Sequence, residues 1–174
     1  VSVDEKQKEM LIEKAGALAE SYEVTYHGCS QVTLKAIQDA LAGVIDVGNG
    51  NAFKAASALV GGVARSGEVC GALLGALMAV SLVFGRDKLE PTIVSEGYRK
   101  ALEISYKVFD EFKEFFGSVR CRDIQMKLFG KYYNLRNPLE LNEFFSSGNA
   151  NKCGKVTKIA AKIATKAILE NLAK

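Results

Sequence analysis

Tryptophan is absent from this 174-residue chain, and proline, histidine and methionine are scarce, at two, one and three residues. With His27 as the single histidine, a histidine-based metal site or a Ser-His-Asp triad is hard to build. No Cys-x-x-Cys pair occurs, which disfavours a thioredoxin-like dithiol, and no Cys-x-x-Cys-His, which leaves covalent c-type haem unsupported. Charge of one sign is not in excess: 23 basic against 20 acidic residues give +3. That balance, with no basic run interleaved with aromatics, argues against nucleic-acid binding. The longest apolar run, Val69 to Phe84, contains Gly71, Gly75 and Ser81 and is bounded by Glu68 and Arg86. A membrane span needs roughly 20 apolar residues, so this run reads as a buried core helix. Val1 to Leu11 has no secretory pattern. A cytoplasmic location is favoured, with export open if an N-terminal segment was removed.

What is present points to helix. Apolar residues make up 48% and charged residues 25%, which suits one domain over residues 1–174 with a core of its own. Asp4 and Gln7 have capping-box spacing, and Leu11, Ala15, Leu18 and Tyr22 follow at helical intervals. The pattern predicts helices over about Asp4–Tyr22, Ser30–Leu41 (Val32, Leu34, Ile37 and Leu41 inward) and Ala52–Val60 behind an Asn51 cap. A nearly all-apolar central helix follows at Val69–Phe84. A long helix with Pro91 in its first turn and a stripe through Val94, Tyr98, Ala101, Ser105, Val108, Phe112 and Phe115 then runs to Phe116. Cys121–Phe129 is a short helix, Gly130–Asn137 a polar loop, Asn137-Pro138 a further capped start, and Gly154 to about Leu172 the last helix. No stretch alternates as a strand does. The fold class is all-α, a helical bundle with short connecting helices.

The four cysteines carry the chemical signal. Cys29, Cys70, Cys121 and Cys153 lie 41, 51 and 32 residues apart, and these spacings match no zinc-finger or ferredoxin pattern. Free thiols often serve as small core hydrophobes, so four unrelated core cysteines is one reading. Against it, each lies at or just before a predicted helix start, where unpaired amides and the helix dipole favour a thiolate. Glycines crowd Cys70 on both sides, from Gly61-Gly62 and Gly67 to Gly71 and Gly75, giving the backbone freedom to bend and to be approached closely. A phosphate loop is set aside, because no Lys-Ser/Thr follows and no strand precedes.

As an ordered set, these elements resemble a known family. Arg65 to Leu77, containing Cys70-Gly71-Ala72 and Gly75, resembles the central element of the redox-active protein family defined by a cysteine, a Gly-Cys-Ala-x-x-Gly element and two further cysteines. Cys29-Ser30-Gln31 resembles its first cysteine element, Phe116 to Arg122 its third, and Lys152-Cys153-Gly154 its fourth, so that the likeness spans about residues 22–164. This chain departs from the pattern in reading Cys70-Gly71-Ala72 for Gly-Cys-Ala. The family is similar to the iron–sulfur part of split-Soret cytochromes c, and the resemblance implies a [2Fe-2S] cluster held by Cys29, Cys70, Cys121 and Cys153, with Gly67 and Gly71 beside it. An electron carrier working with a redox partner protein, possible as a homodimer, is then expected rather than a catalyst. The other readings are a thiol–disulfide or redox-sensing protein using the same cysteines, and a structural bundle stapled by zinc or disulfides.

Other residues are weighed beside the cysteines. His27 reads as a neighbour or surface residue rather than a ligand. Arg65, Arg120 and Arg122 could offset cluster charge or form ordinary salt bridges, and Glu68 could pair with one of them. Lys155, Lys158, Lys162 and Lys166 share one face of the last helix, either a solvated stripe or a docking face for an acidic partner.

Overall fold

Asp4 starts the first helix by accepting the backbone N–H of Gln7 on Oδ1 at 2.8 Å, which satisfies one of the amides a helix start leaves unpaired. The computed structural model describes residues 3–172. Val1, Ser2, Ala173 and Lys174, the ends of the expected 1–174 span, lie outside the described residues. Helix α1 runs Glu5–Tyr26 and buries Ala15, Gly16, Ala19 and Glu23, a face one step round from the predicted one. Its small residues let it lie close along the last helix, α9 (Gly154–Asn171). A Cβ on Gly16 would stand 2.7 Å from Cγ of Lys162.

Helix α2 (Cys29–Leu41) turns Val32, Leu34, Ile37 and Leu41 inward. Helix α3 (Gly50–Ala55) is capped by Asn49 rather than Asn51 and gives way at Ala56–Leu59 to a tighter 3-10 turn, so the predicted Ala52–Val60 helix is shorter and earlier. Helix α4 (Gly71–Phe84) is the centre of the molecule, burying Gly71, Ala72, Leu73, Gly75, Ala76, Ala79 and Val80. It starts two residues later than predicted because Val69 is taken up in an antiparallel bridge with Arg120. Gly75 brings α4 against α2, where a Cβ would overlap the carbonyl of Ser30.

Helix α5 (Glu96–Phe116) corrects the largest boundary. Pro91 lies outside it, in a turn closed by Val94 N–H donating to the Pro91 carbonyl at 3.1 Å, and Ser95 is the cap. The inward residues are Ala101, Ile104, Val108 and Phe112, while Val94 and Phe115 at the ends of the predicted stripe are exposed. Gly117, at φ +74°, stops the helix.

Helices α6 (Cys121–Phe129), α7 (Pro138–Ser146) and the unpredicted one-turn α8 (Asn149–Lys152) form a cap at one end. The expected polar loop between α6 and α7 sends Tyr133 and Leu135 into a second small core with Phe144 and Ala150, against which Cys153 packs. The architecture is all-α: among the described residues there is no strand, and no helix is long and apolar enough to cross a membrane.

The lysine face of α9 is largely neutralised from within. Lys158 pairs with Glu20 at 2.7 Å, Lys162 with Glu13 at 2.6 Å and Lys166 with Glu111 at 3.7 Å. These half-exposed pairs tie α9 to α1 and α5, as the solvated-stripe reading has it.

Candidate functional site

All four cysteines sit at helix starts. Cys29 is the first residue of α2, Cys70 the N-cap of α4, Cys121 the first residue of α6 and Cys153 the N-cap of α9. All are free thiols. What brings them together is the turn between the 3-10 segment and α4. Gly61, Gly62, Val63, Ala64 and Arg65 all have positive φ, between 48° and 75°, a left-handed run costly for side chains with a Cβ and most of all for branched Val63.

Hydrogen bonds from several directions hold this turn. Ala64 N–H donates to the Ala58 carbonyl at 2.7 Å and Gly67 N–H to that of Gly61 at 3.0 Å. Arg136 donates to the Ala64 carbonyl at 2.9 Å, and Arg122 to those of Ser66 at 2.9 Å and Gly67 at 3.2 Å. Arg122 and Arg120 also share Oε1 of Glu68, at 2.9 and 3.3 Å. Two of the flanking arginines thus brace the turn through Glu68, while Arg65 lines the cavity described below.

The turn's glycines meet the cysteines directly. A Cβ on Gly62 would stand 2.7 Å from Cβ of Cys121, and one on Gly71 would overlap Sγ of Cys29. Gly67, expected beside a cofactor, instead faces the Tyr132 ring, with its N–H and carbonyl both engaged within the protein. The segments carrying Cys70 and Cys121 are joined by two bonds that flank the Val69–Arg120 bridge: Cys70 N–H donates to the Val119 carbonyl at 2.8 Å, and Cys121 N–H to that of Glu68 at 2.6 Å.

Cys29, Cys121 and Cys153 line one cavity of about 400 Å3 with Glu23, Tyr26, His27, Arg65, Phe144 and Phe145 among its other walls. Cys70 is buried at 6% exposure. Each of the other three cysteines is near enough to Cys153 for its charge to raise that thiol's pKa.

Hydrogen-bond donors reach three of the sulfurs. The Gly61 amide favours the thiolate of Cys29, and those of Ala72 and Leu73 the thiolate of Cys70 without closing a full cap bond. Gln125 Nε2 donates to Cys121 Sγ at 3.4 Å, its Oε1 fixed by the Tyr133 amide at 2.9 Å. Even so, burial wins. Desolvation first, then Glu23 and neighbouring cysteines, push Cys29 and Cys153 well above the usual thiol range. Cys70 is pushed up to about 12 by burial and by Cys121, and Cys121 is raised by burial despite Gln125 and Arg122. The expectation that helix starts would lower these pKa values is therefore overturned, because removing water from a thiolate outweighs a few amides.

Glu23 was not singled out in the sequence. It is 5% exposed, its carboxyl is raised to about 7 by burial, and among the described residues its Oε2 has no hydrogen-bond partner. His27, at φ +58° at the end of α1, packs edge-on against Phe145 at 4.9 Å between ring centres, its Nδ1 buried and unpartnered among the described residues. Among the described residues no three His, Cys, Asp or Glu side chains stand close enough to clamp a single metal ion.

Helix-start thiols gathered at one end of an all-α bundle define a four-cysteine helical protein. Residues 27–167 match the family model described as "Putative redox-active protein (C_GCAxxG_C_C)", and the chain belongs to that family. In its own version Ala72 and Gly75 keep the pattern's spacing while cysteine and glycine are exchanged. The exchange makes Cys70 the helix cap and leaves Gly71 as the space Cys29 fills. No curated protein and no solved structure matches the chain.

Proposed function

We propose that this chain is a small electron-transfer protein whose cysteines 29, 70, 121 and 153 hold an iron–sulfur cluster, a [2Fe-2S], and pass electrons to a redox partner protein. The observation that carries the reading is the mutual approach of four thiols from four separate segments, with amide donors aimed at three of them. Four soft sulfur donors suit such a group in kind and number, and N–H bonds to the sulfurs help set its potential. A bound cluster would supply reversible one-electron transfer.

The chain's part is to hold and shield it. The Gly61, Ala72 and Leu73 amides and the Gln125 side chain would offset negative charge on the sulfurs. Cys70 is buried and the other three thiols are half-buried on the cavity wall, and their raised pKa values leave little thiolate for disulfide exchange at neutral pH. Loading must release the thiol protons, so uptake should strengthen as pH rises.

The test is anaerobic purification or reconstitution with iron and sulfide, read by visible spectrum and by counting iron, labile sulfide and zinc. Brown protein with two irons and two sulfides per chain (about that stoichiometry for a two-iron cluster) is expected, and Cys70→Ser should lose it. Colourless protein that takes up no iron, or cluster retention in all four single Cys→Ser variants, would overturn the proposal.

A further inference from the structure

The cavity that the cysteines share has more wall than a set of sulfurs needs. Its mouth is aromatic: Tyr26 is 74% and Phe145 41% exposed, with Phe144 buried behind them. Inside lies Glu23, a carboxylate nineteen-twentieths buried whose Oε2 meets no donor among the described residues. An acceptor left unpaired in a buried place is costly and stands out in a native structure. His27 lines the same cavity, and its Nδ1 is a second buried polar atom without a partner among the described residues.

Two groups able to accept, a ring-lined mouth and a carboxylate ask for a ligand that only donates. An ammonium group has donors and no acceptor, and aromatic faces attract it further. Among the lining residues Glu23 is the one carboxylate and Arg65 the one guanidinium. Glu23 also precedes the span matched by the family model.

We propose that this cavity binds a small organic ammonium ion, its nitrogen held by Glu23 and His27 and its apolar body by Tyr26, Phe144 and Phe145. The site adjoins the cysteines but does not require that they carry a cluster, so the two proposals fail separately.

The experiment titrates benzylamine, benzyl alcohol and benzoate into the reduced full-length chain, followed by two-dimensional NMR, and repeats it after iron and sulfide are added. Benzylamine should bind with a Kd on the order of 1 mM, an ordinary value for so small a ligand, and both other probes about tenfold more weakly or worse. Glu23→Gln should weaken benzylamine about tenfold, the scale of one charge-assisted hydrogen bond, and leave benzyl alcohol unchanged. Phe145→Ala, at the exposed rim, should weaken benzylamine without disturbing the amide spectrum elsewhere, which guards against misfolding of the Glu23 variant. Benzyl alcohol binding as tightly as benzylamine, or full benzylamine affinity in both variants, would overturn the ammonium site. Benzylamine binding by a chain that takes up no iron would leave this site standing and remove the cluster reading, and the reverse pair of results would do the opposite.

Discussion

The bundle core and the cysteine end are built from the same helices but on different terms. Around α4 the core is Ala72, Leu73, Ala76, Ala79 and Val80 against Leu34, Ile37, Val108, Phe112 and Ile168, and the polar atoms left unpaired there among the described residues are two threonine hydroxyls, on Thr33 and Thr165. At the cysteine end the atoms left unpaired among the described residues belong to a carboxylate, an imidazole and a guanidinium, on Glu23, His27 and Arg120. Among the described residues, the non-glycine residues with positive φ (His27, Val63, Ala64 and Arg65) all lie there too. Backbone strain and unpaired polar groups persist only where the surroundings enforce them, and they gather at functional sites. The core supplies the stability that lets one end be built against local preference.

The largest test of this contrast compares two left-handed glycines. Gly62→Ala must fit a Cβ 2.5 Å from the Glu68 nitrogen and 2.7 Å from Cys121 Cβ at φ +75°. It should cost about 4 kcal/mol in urea unfolding, strain and overlap together. Gly43→Ala, at φ +82° with nothing within 4 Å, should cost only about 1 kcal/mol. Equal costs would erase the contrast.

Next in size is Glu23. Its folded pKa of about 7 lies above the ordinary 4.5, so between those values the folded chain holds a proton the unfolded one has lost. The contribution of Glu23 to the stability of the metal-free chain is therefore most favourable below about 4.5 and falls away as pH rises toward 7 and just beyond. Glu23→Gln should remove that fall, leaving stability near wild type at pH 4 and higher at pH 8 by something on the order of 3 kcal/mol. Parallel wild-type and variant curves across this range would show that Glu23 is not desolvated. The smallest effect is a gain: Val63→Gly frees a branched residue from φ +65° and should stabilise by about 1 kcal/mol after the added chain entropy is counted. A loss would mean that packing of the Val63 side chain outweighs its strain.

Much of the bundle was legible because its signals are local. The Asp4 cap, the apolar side of α2 and the Gly117 stop each follow from a few adjacent residues. The start of α5 misled because Pro91 suits a first helical turn as well as a loop, while Ser95 followed by Glu96 was the cap that mattered. Glu23 could have been found: Ala15, Ala19 and Glu23 recur every fourth residue, an acid on a face otherwise made of small residues. Gln125 and the sense of the thiol pKa shifts were not legible, since both depend on what packs over them from α6, the following loop and α1. Helix starts were visible in the sequence, but the depth at which they lie was not.

The bridge between the segments of Cys70 and Cys121 fixes the order in which the molecule is made. During synthesis Cys29 and Cys70 leave the ribosome early, yet the bridge at Val69 cannot close until Arg120 has followed, with α4 and α5 between them. Cys153 comes later still, and it opens the helix that lies along α1. Contacts so distant in sequence form only after their long loops close. Completion of the thiol cluster and docking of the last helix on the first are thus one event, and a nascent or truncated chain ending before α9 possesses neither.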